Sequence, residues 1–112
     1  MGAQEALMTT RKLERSEWRE YFDEVAKRQP SMRVAISVMA KDLGVQPETQ
    51  DGDLIGITYD SKEGYLEIGT PDVTHRIENP DEIYVQEEGG QLLSIEVLAP
   101  DGTKQVIELQ QS

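Results

Sequence analysis

The chain contains one histidine, His75, in Thr74-His75-Arg76. Histidine is the side chain best suited to proton transfer near neutral pH, so any acid–base or triad chemistry here rests on His75 with one of many carboxylates. No serine lies in a G-x-S-x-G nucleophile turn, which leaves a triad without its attacking group. The plainer role for His75 is a strand or turn histidine holding a structural hydrogen bond, and that role is expected. Asp51-Gly52-Asp53 offers oxygen ligands of the kind that bind calcium. An EF-hand would need a third oxygen ligand two residues on, but Ile55 stands there, and no helix is expected on either side. A solvated acidic stretch is therefore expected.

Paired carboxylates for glycoside chemistry could come from Glu87-Glu88, Glu67 or Glu96. Adjacent strand residues point to opposite faces, so Glu87 and Glu88 cannot readily flank one bond, and a charged solvent face protecting a sheet edge is the expected role. The absence of cysteine excludes disulfides, thiolate zinc sites and Cys nucleophiles. There is no P-loop, no G-x-G-x-x-G after a strand and no H-E-x-x-H. No catalytic residue, metal ligand or cofactor is assigned, and the sequence favours a non-enzymatic role.

The elements that must position these residues carry an uneven charge. Up to Lys41 the chain has 8 Lys and Arg against 6 Asp and Glu, whereas from Asp42 onward it has 3 against 16. The net charge of −11 repels phosphate backbones and anionic membranes, so neither nucleic acid nor membrane is expected as a partner. No segment reaches the ~20 apolar residues of a membrane span, and with no cysteine the cytoplasm is the expected compartment.

Residues 1–9 read as a flexible arm and 10–112 as a single domain, a length sufficient for one apolar core. Ser16 offers an N-cap for a helix over 17–28, in which Trp18, Tyr21, Phe22, Val25 and Ala26 recur at three-and-four spacing. With only six aromatics in the chain, this stripe belongs in the core rather than on an exposed binding face. Pro30 ends the helix.

Beyond it the period becomes two. Strands are predicted around Val34–Val38, Leu54–Asp60, Tyr65–Gly69, Val73–Ile77, Ile83–Gln86, Leu92–Leu98 and Lys104–Leu109. Gly64, Gly89-Gly90 and Pro100-Asp101-Gly102 supply tight turns, the stretch 40–53 reads as a flexible loop, and Asn79-Pro80-Asp81-Glu82 allows one helical turn. The short spacings favour antiparallel pairing. The expected fold is α+β: one N-terminal amphipathic helix packed on a curved antiparallel β-meander of about six strands.

Several stretches resemble a family of small, chiefly bacterial domains of unknown function. They are Thr10-Arg11-Lys12-Leu13 leading into Glu17-Trp18 and Tyr21-Phe22, and Leu54-Ile55-Gly56-Ile57-Thr58-Tyr59-Asp60. The likeness continues through His75, Ile77, Pro80, Ile83, Tyr84 and Val85, then Ile95-Glu96-Val97 and Asp101-Gly102-Thr103. It implies a compact cytosolic bacterial domain and supplies no activity to transfer.

The sequence thus points to a soluble protein-binding module whose acidic sheet surface meets a basic partner or a second copy, with Arg11, Lys12 and Arg15 reaching across in the latter case. A small hydrolase or isomerase using His75 with a nearby carboxylate is the competing reading. His75, Arg76, Tyr59 and Tyr84 are the side chains whose convergence in a pocket would distinguish the two.

Overall fold

Two short crossings, at Leu54-Ile55 and at Asn79-Pro80-Asp81, organise the chain, because at each the backbone leaves one β-sheet and enters another. A computed structural model describes residues 8–28, 32–40 and 44–111, so Met1–Leu7 of the expected arm and Pro30 lie outside it. Strand β1 (Met8–Lys12) is followed by a 3-10 turn (Arg15–Glu17) that runs into helix α1 (Trp18–Arg28). Strands β2 (Met32–Ala40) and β3 (Gly44–Asp53) come next, then β4 (Gly56–Asp60), β5 (Tyr65–Gly69) and β6 (Thr74–Glu78). The chain ends in β7 (Glu82–Glu88), β8 (Gln91–Leu98) and β9 (Lys104–Gln111).

The strands form a six-stranded sheet in the order β1-β7-β8-β9-β2-β3 and a three-stranded sheet in the order β4-β5-β6, antiparallel throughout. The sequence favoured one meander of about six strands, and this needs correction: only β4-β5-β6 and β7-β8-β9 are meanders. The stretch 44–53 is also a strand and not a loop. Its Gly44, Pro47 and Gly52 weaken any strand signal, but β3 is an edge strand, where a proline costs no ladder bond on its solvent side. The backbone then changes sheet within two residues: Leu54 N–H donates to Met32 O of β2 at 2.8 Å, and Ile55 N–H donates to Gly69 O of β5 at 2.7 Å.

No helical turn forms at the second crossing. Asn79 takes a φ of 51° and its N–H donates to Gly64 O at 2.9 Å, while Asp81 N–H donates to Leu98 O at 2.7 Å. These two bonds tie the crossing to both sheets, so the segment is spent on bridging. The expected hairpin at Gly64 forms as its chemistry requires. Asp60 Oδ1 accepts from Lys62 and Glu63 N–H, both at 2.9 Å, and Gly64 closes the turn at φ 78°.

Alternation fixes what is buried. On β7 and β8, Ile83 pairs with Val97 and Val85 with Ile95, and all four are buried. A bulge leaves Leu93 extra, so Leu92 and Ile95, three residues apart, are both fully buried. Val34, Ile36, Ile107 and Leu109 of the large sheet and Ile57, Leu66, Ile68 and Ile77 of the small sheet join one core with Trp18, Phe22 and Val25 of α1. Tyr59 packs against this core, and Ala26 is exposed rather than buried with the stripe.

The start of the helix also differs in detail from expectation. The first turn is capped by Glu14 and Glu17 instead of Ser16: Glu14 N–H donates to the Glu17 carboxylate at 2.8 Å, and Glu17 N–H donates to Glu14 O at 2.9 Å. Trp18 then meets the Tyr59 ring edge-on at 5.1 Å, and its indole N–H donates to Leu13 O at 3.4 Å. Its outer side is covered by the Arg15 guanidinium, 4.4 Å from the ring centroid, whose Nη2 also donates to Asp81 O at 3.2 Å. With 1% of its surface exposed, Trp18 is the largest fully buried side chain. Trp18→Ala is expected to lower unfolding stability by about 3–5 kcal/mol in a denaturant titration, whereas Trp18→Phe should lose clearly less, because it retains an edge-on ring against Tyr59.

Candidate functional site

Where α1 passes the end of β7, four carboxylates and two guanidiniums surround one tyrosine. Glu17, Glu20, Tyr21, Glu24 and Arg28 recur along one side of the helical segment, Arg11 comes from β1 and Glu87 from β7. Together they line a groove of about 290 Å³. Glu87 shares the alternation of the buried Ile83 and Val85 and pairs with the buried Leu92. Its carboxylate therefore comes off the core face of the strand, under the helix, instead of facing solvent beside Glu88.

Two groups meet it there. The Tyr21 hydroxyl donates a hydrogen bond to Glu87 Oε2, and Arg11 Nε lies 3.7 Å from Glu87 Oε1. Arg11 Nη1 is 3.5 Å from Glu17, and its guanidinium stands 5.5 Å from the centre of the Tyr21 ring. A carboxylate on a core face is costly unless it is hydrogen-bonded, and Tyr21 with Arg11 satisfies that condition. Burial raises the phenol's pKa above its ordinary range, and the hydrogen bond to Glu87 and its negative charge raise it further. The groove is net acidic, and one of its two cations is already held by carboxylates. It can accept cationic groups.

His75 sits elsewhere. Its Nε2 lies 2.7 Å from Gln105 Oε1, which joins β6 of the small sheet to β9 of the large one. It thus forms the inter-element hydrogen bond expected of a strand histidine, here to an amide. Arg76 lies on the alternate side of β6, stacked 3.9 Å over the Tyr65 ring and 3.9 Å from Glu67. Tyr59 is against the core and Tyr84 lines a second, small groove with Thr10, Gln86, Ser94 and Glu96. The four side chains singled out in the sequence are therefore dispersed over different parts of the fold.

Asp53 is also engaged: Arg33 Nη1 donates to Asp53 Oδ1 at 3.0 Å across the β2–β3 pair. Among the described residues, no group of three or more His, Asp or Glu is placed to hold a metal ion. The cations proposed to reach a second copy are used within the chain. Lys12 lies 3.4 Å from Glu82, Arg15 donates to the carbonyls of Pro80 and Asp81, and Arg11 is in the groove. Among the described residues no helix is long and apolar enough to cross a membrane.

A family model described as a family of unknown function (DUF5335) matches residues 9–112. A relative from Aquifex aeolicus (strain VF5), described as an uncharacterised protein, is 35% identical over 103 residues, covering 91% of this chain and 93% of the relative.

Tyr21 gives the groove a measurable pH signature. Its folded-state pKa is raised, so its contribution to stability is complete below the ordinary phenol value of about 10 and declines as the pH rises above it, where the unfolded chain ionises first. Ultraviolet titration should show Tyr21 ionising late, with the late step lost in Tyr21→Phe and shifted to lower pH in Glu87→Gln. An unshifted step in Glu87→Gln would show that the two groups are not coupled.

Proposed function

Because the chain belongs to DUF5335, a family whose description carries no activity, we propose from its own geometry that it is a non-enzymatic binding domain whose acidic surface receives a basic segment of a partner protein. The observation that carries this reading is the groove beside Tyr21, lined by Glu17, Glu20, Glu24 and Glu87 against Arg11 and Arg28. A Lys- or Arg-bearing segment laid along α1 would meet carboxylates at successive turns of the helix.

The wider surface supports the same direction. Arg33, Arg76 and Lys104 pair with Asp53, Glu67 and Glu96, as Arg11 and Lys12 pair with Glu17 and Glu82. Cations that could screen the acidic sheets are thereby held at fixed places, while the chain as a whole keeps a charge of −11. Such a field speeds encounter with a positively charged partner and discourages nucleic acid. The internal use of Arg11, Lys12 and Arg15 favours a different protein over a second copy as partner.

We take residues 10–112 as the binding domain and the cytoplasm as its compartment, in keeping with the absence of cysteine. A hydrolase or isomerase acting through His75 draws less support, since the contact made by Nε2 is to an amide oxygen.

A fluorescently labelled peptide of alternating Lys and Ser provides the test. It should bind at low ionic strength, weaken as salt is raised, and lose about tenfold in affinity in the Glu20→Gln/Glu24→Gln double variant. Glu63→Gln/Glu78→Gln, with the same change in net charge away from the groove, should have a smaller effect. Equal losses in the two double variants would mean that overall charge, and not this groove, governs binding.

A further inference from the structure

Among the described residues the large hydrophobic side chains that stand out in solvent are Ile55, 69% exposed, and Val73, 48% exposed. They are far apart in sequence but share one cross-strand row. Ile55 N–H donates to Gly69 O at 2.7 Å, and Thr70 N–H donates to Val73 O at 2.9 Å, so Gly69-Thr70 of the small sheet lies between them. Two strand spacings separate the side chains by roughly 10 Å. The turn that carries Val73 is fixed by Thr70: its hydroxyl donates to Val73 O at 2.9 Å and accepts from Val73 N–H at 3.2 Å. Neither side chain is placed by a loose loop.

The nearest charges in sequence are acidic: Asp72 precedes Val73 and is exposed, and Asp53, which accepts from Arg33, keeps 64% of its side chain in solvent.

We infer that the Ile55–Thr70–Val73 row is the apolar half of a docking surface for a partner segment that carries one aliphatic side chain flanked by Lys or Arg. The choice of occupant follows from charge. Lys or Arg on the incoming segment would face Asp72 and Asp53 with opposite charge, whereas a second copy would present the same acidic residues beside its own row. Burying an isolated aliphatic pair that water otherwise surrounds supplies affinity, and the aspartates set which sequences are admitted. This inference rests on the reading of the protein as a receiver of basic segments, and it adds an apolar anchor at a separate location.

The probes are two synthetic peptides, Lys-Lys-Leu-Lys-Lys and Lys-Lys-Ser-Lys-Lys, titrated against the whole chain with amide chemical shifts recorded by NMR. The leucine peptide should bind about tenfold more tightly than the serine peptide and shift the amides of Ile55, Gly69 and Val73. Ile55→Thr/Val73→Thr retains β-branched side chains at exposed positions and should fold normally, as a thermal melt will show, yet erase the difference between the peptides. Equal binding of the two peptides would overturn the apolar anchor while leaving the acidic binding surface standing, and binding of neither would overturn both. Sedimentation showing that the unliganded chain self-associates, and that Ile55→Thr/Val73→Thr abolishes it, would assign the row to a second copy and overturn the inference.

Discussion

The removal of Trp18 from water is the constraint on which the rest of the structure depends. A short helix of 11 residues gains little stability by itself, so its position is set by the apolar side chains it buries. Trp18 touches the small sheet through Tyr59 and the segment after β1 through Leu13, and it is covered by Arg15, which also reaches the crossing at Asp81. One indole thus links the helix to both sheets and to the point where the chain moves between them. Tyr21, one turn further, adds the bond to Glu87 that closes the helix on the end of β7.

The candidate groove is a consequence of this docking. Its helical carboxylates, Glu17, Glu20 and Glu24, lie on the opposite flank of the stripe that buries Trp18, Phe22 and Val25. Glu87 enters because the β7 alternation that buries Ile83 and Val85 continues for one more step. The same stretch of helix therefore supplies the core on one side and the charged wall on the other. The dispersal of basic residues follows a related rule: Lys12, Arg15, Arg33 and Arg76 each lie beside a carboxylate, carbonyl or ring that the local fold supplies. The basic beginning and acidic remainder of the sequence meet inside one chain.

What could be read from the sequence was whatever carried a strong period or a turn residue. The helix, the seven alternating strands and the turns at Gly64, Gly89-Gly90 and Gly102 fall in this class, and each glycine has the positive φ its turn requires. Strands β1 and β3 were hidden because both are edges: Met8–Lys12 has no apolar alternation, and Gly44–Asp53 contains proline and two glycines. Without β3, the change of sheet at Leu54-Ile55 could not be foreseen, and two sheets looked like one. The groove was missed for a narrower reason. The apolar alternation by itself reads as a strand over Ile83–Gln86, whereas one further residue puts Glu87 on the core face, where it needs a donor such as Tyr21. Which helix-borne groups would face it is tertiary information that no local pattern contains.

If Trp18 joins both sheets in one core, the helix cannot leave while the sheets remain intact. As the chain has a single tryptophan, its fluorescence reports on that core alone, and far-ultraviolet circular dichroism reports mainly on the strands. Urea unfolding followed by both signals should give one coincident transition with the same midpoint. A fluorescence change that precedes the loss of sheet signal would show that α1 is a separable cover, and would contradict a shared core as the support of the groove.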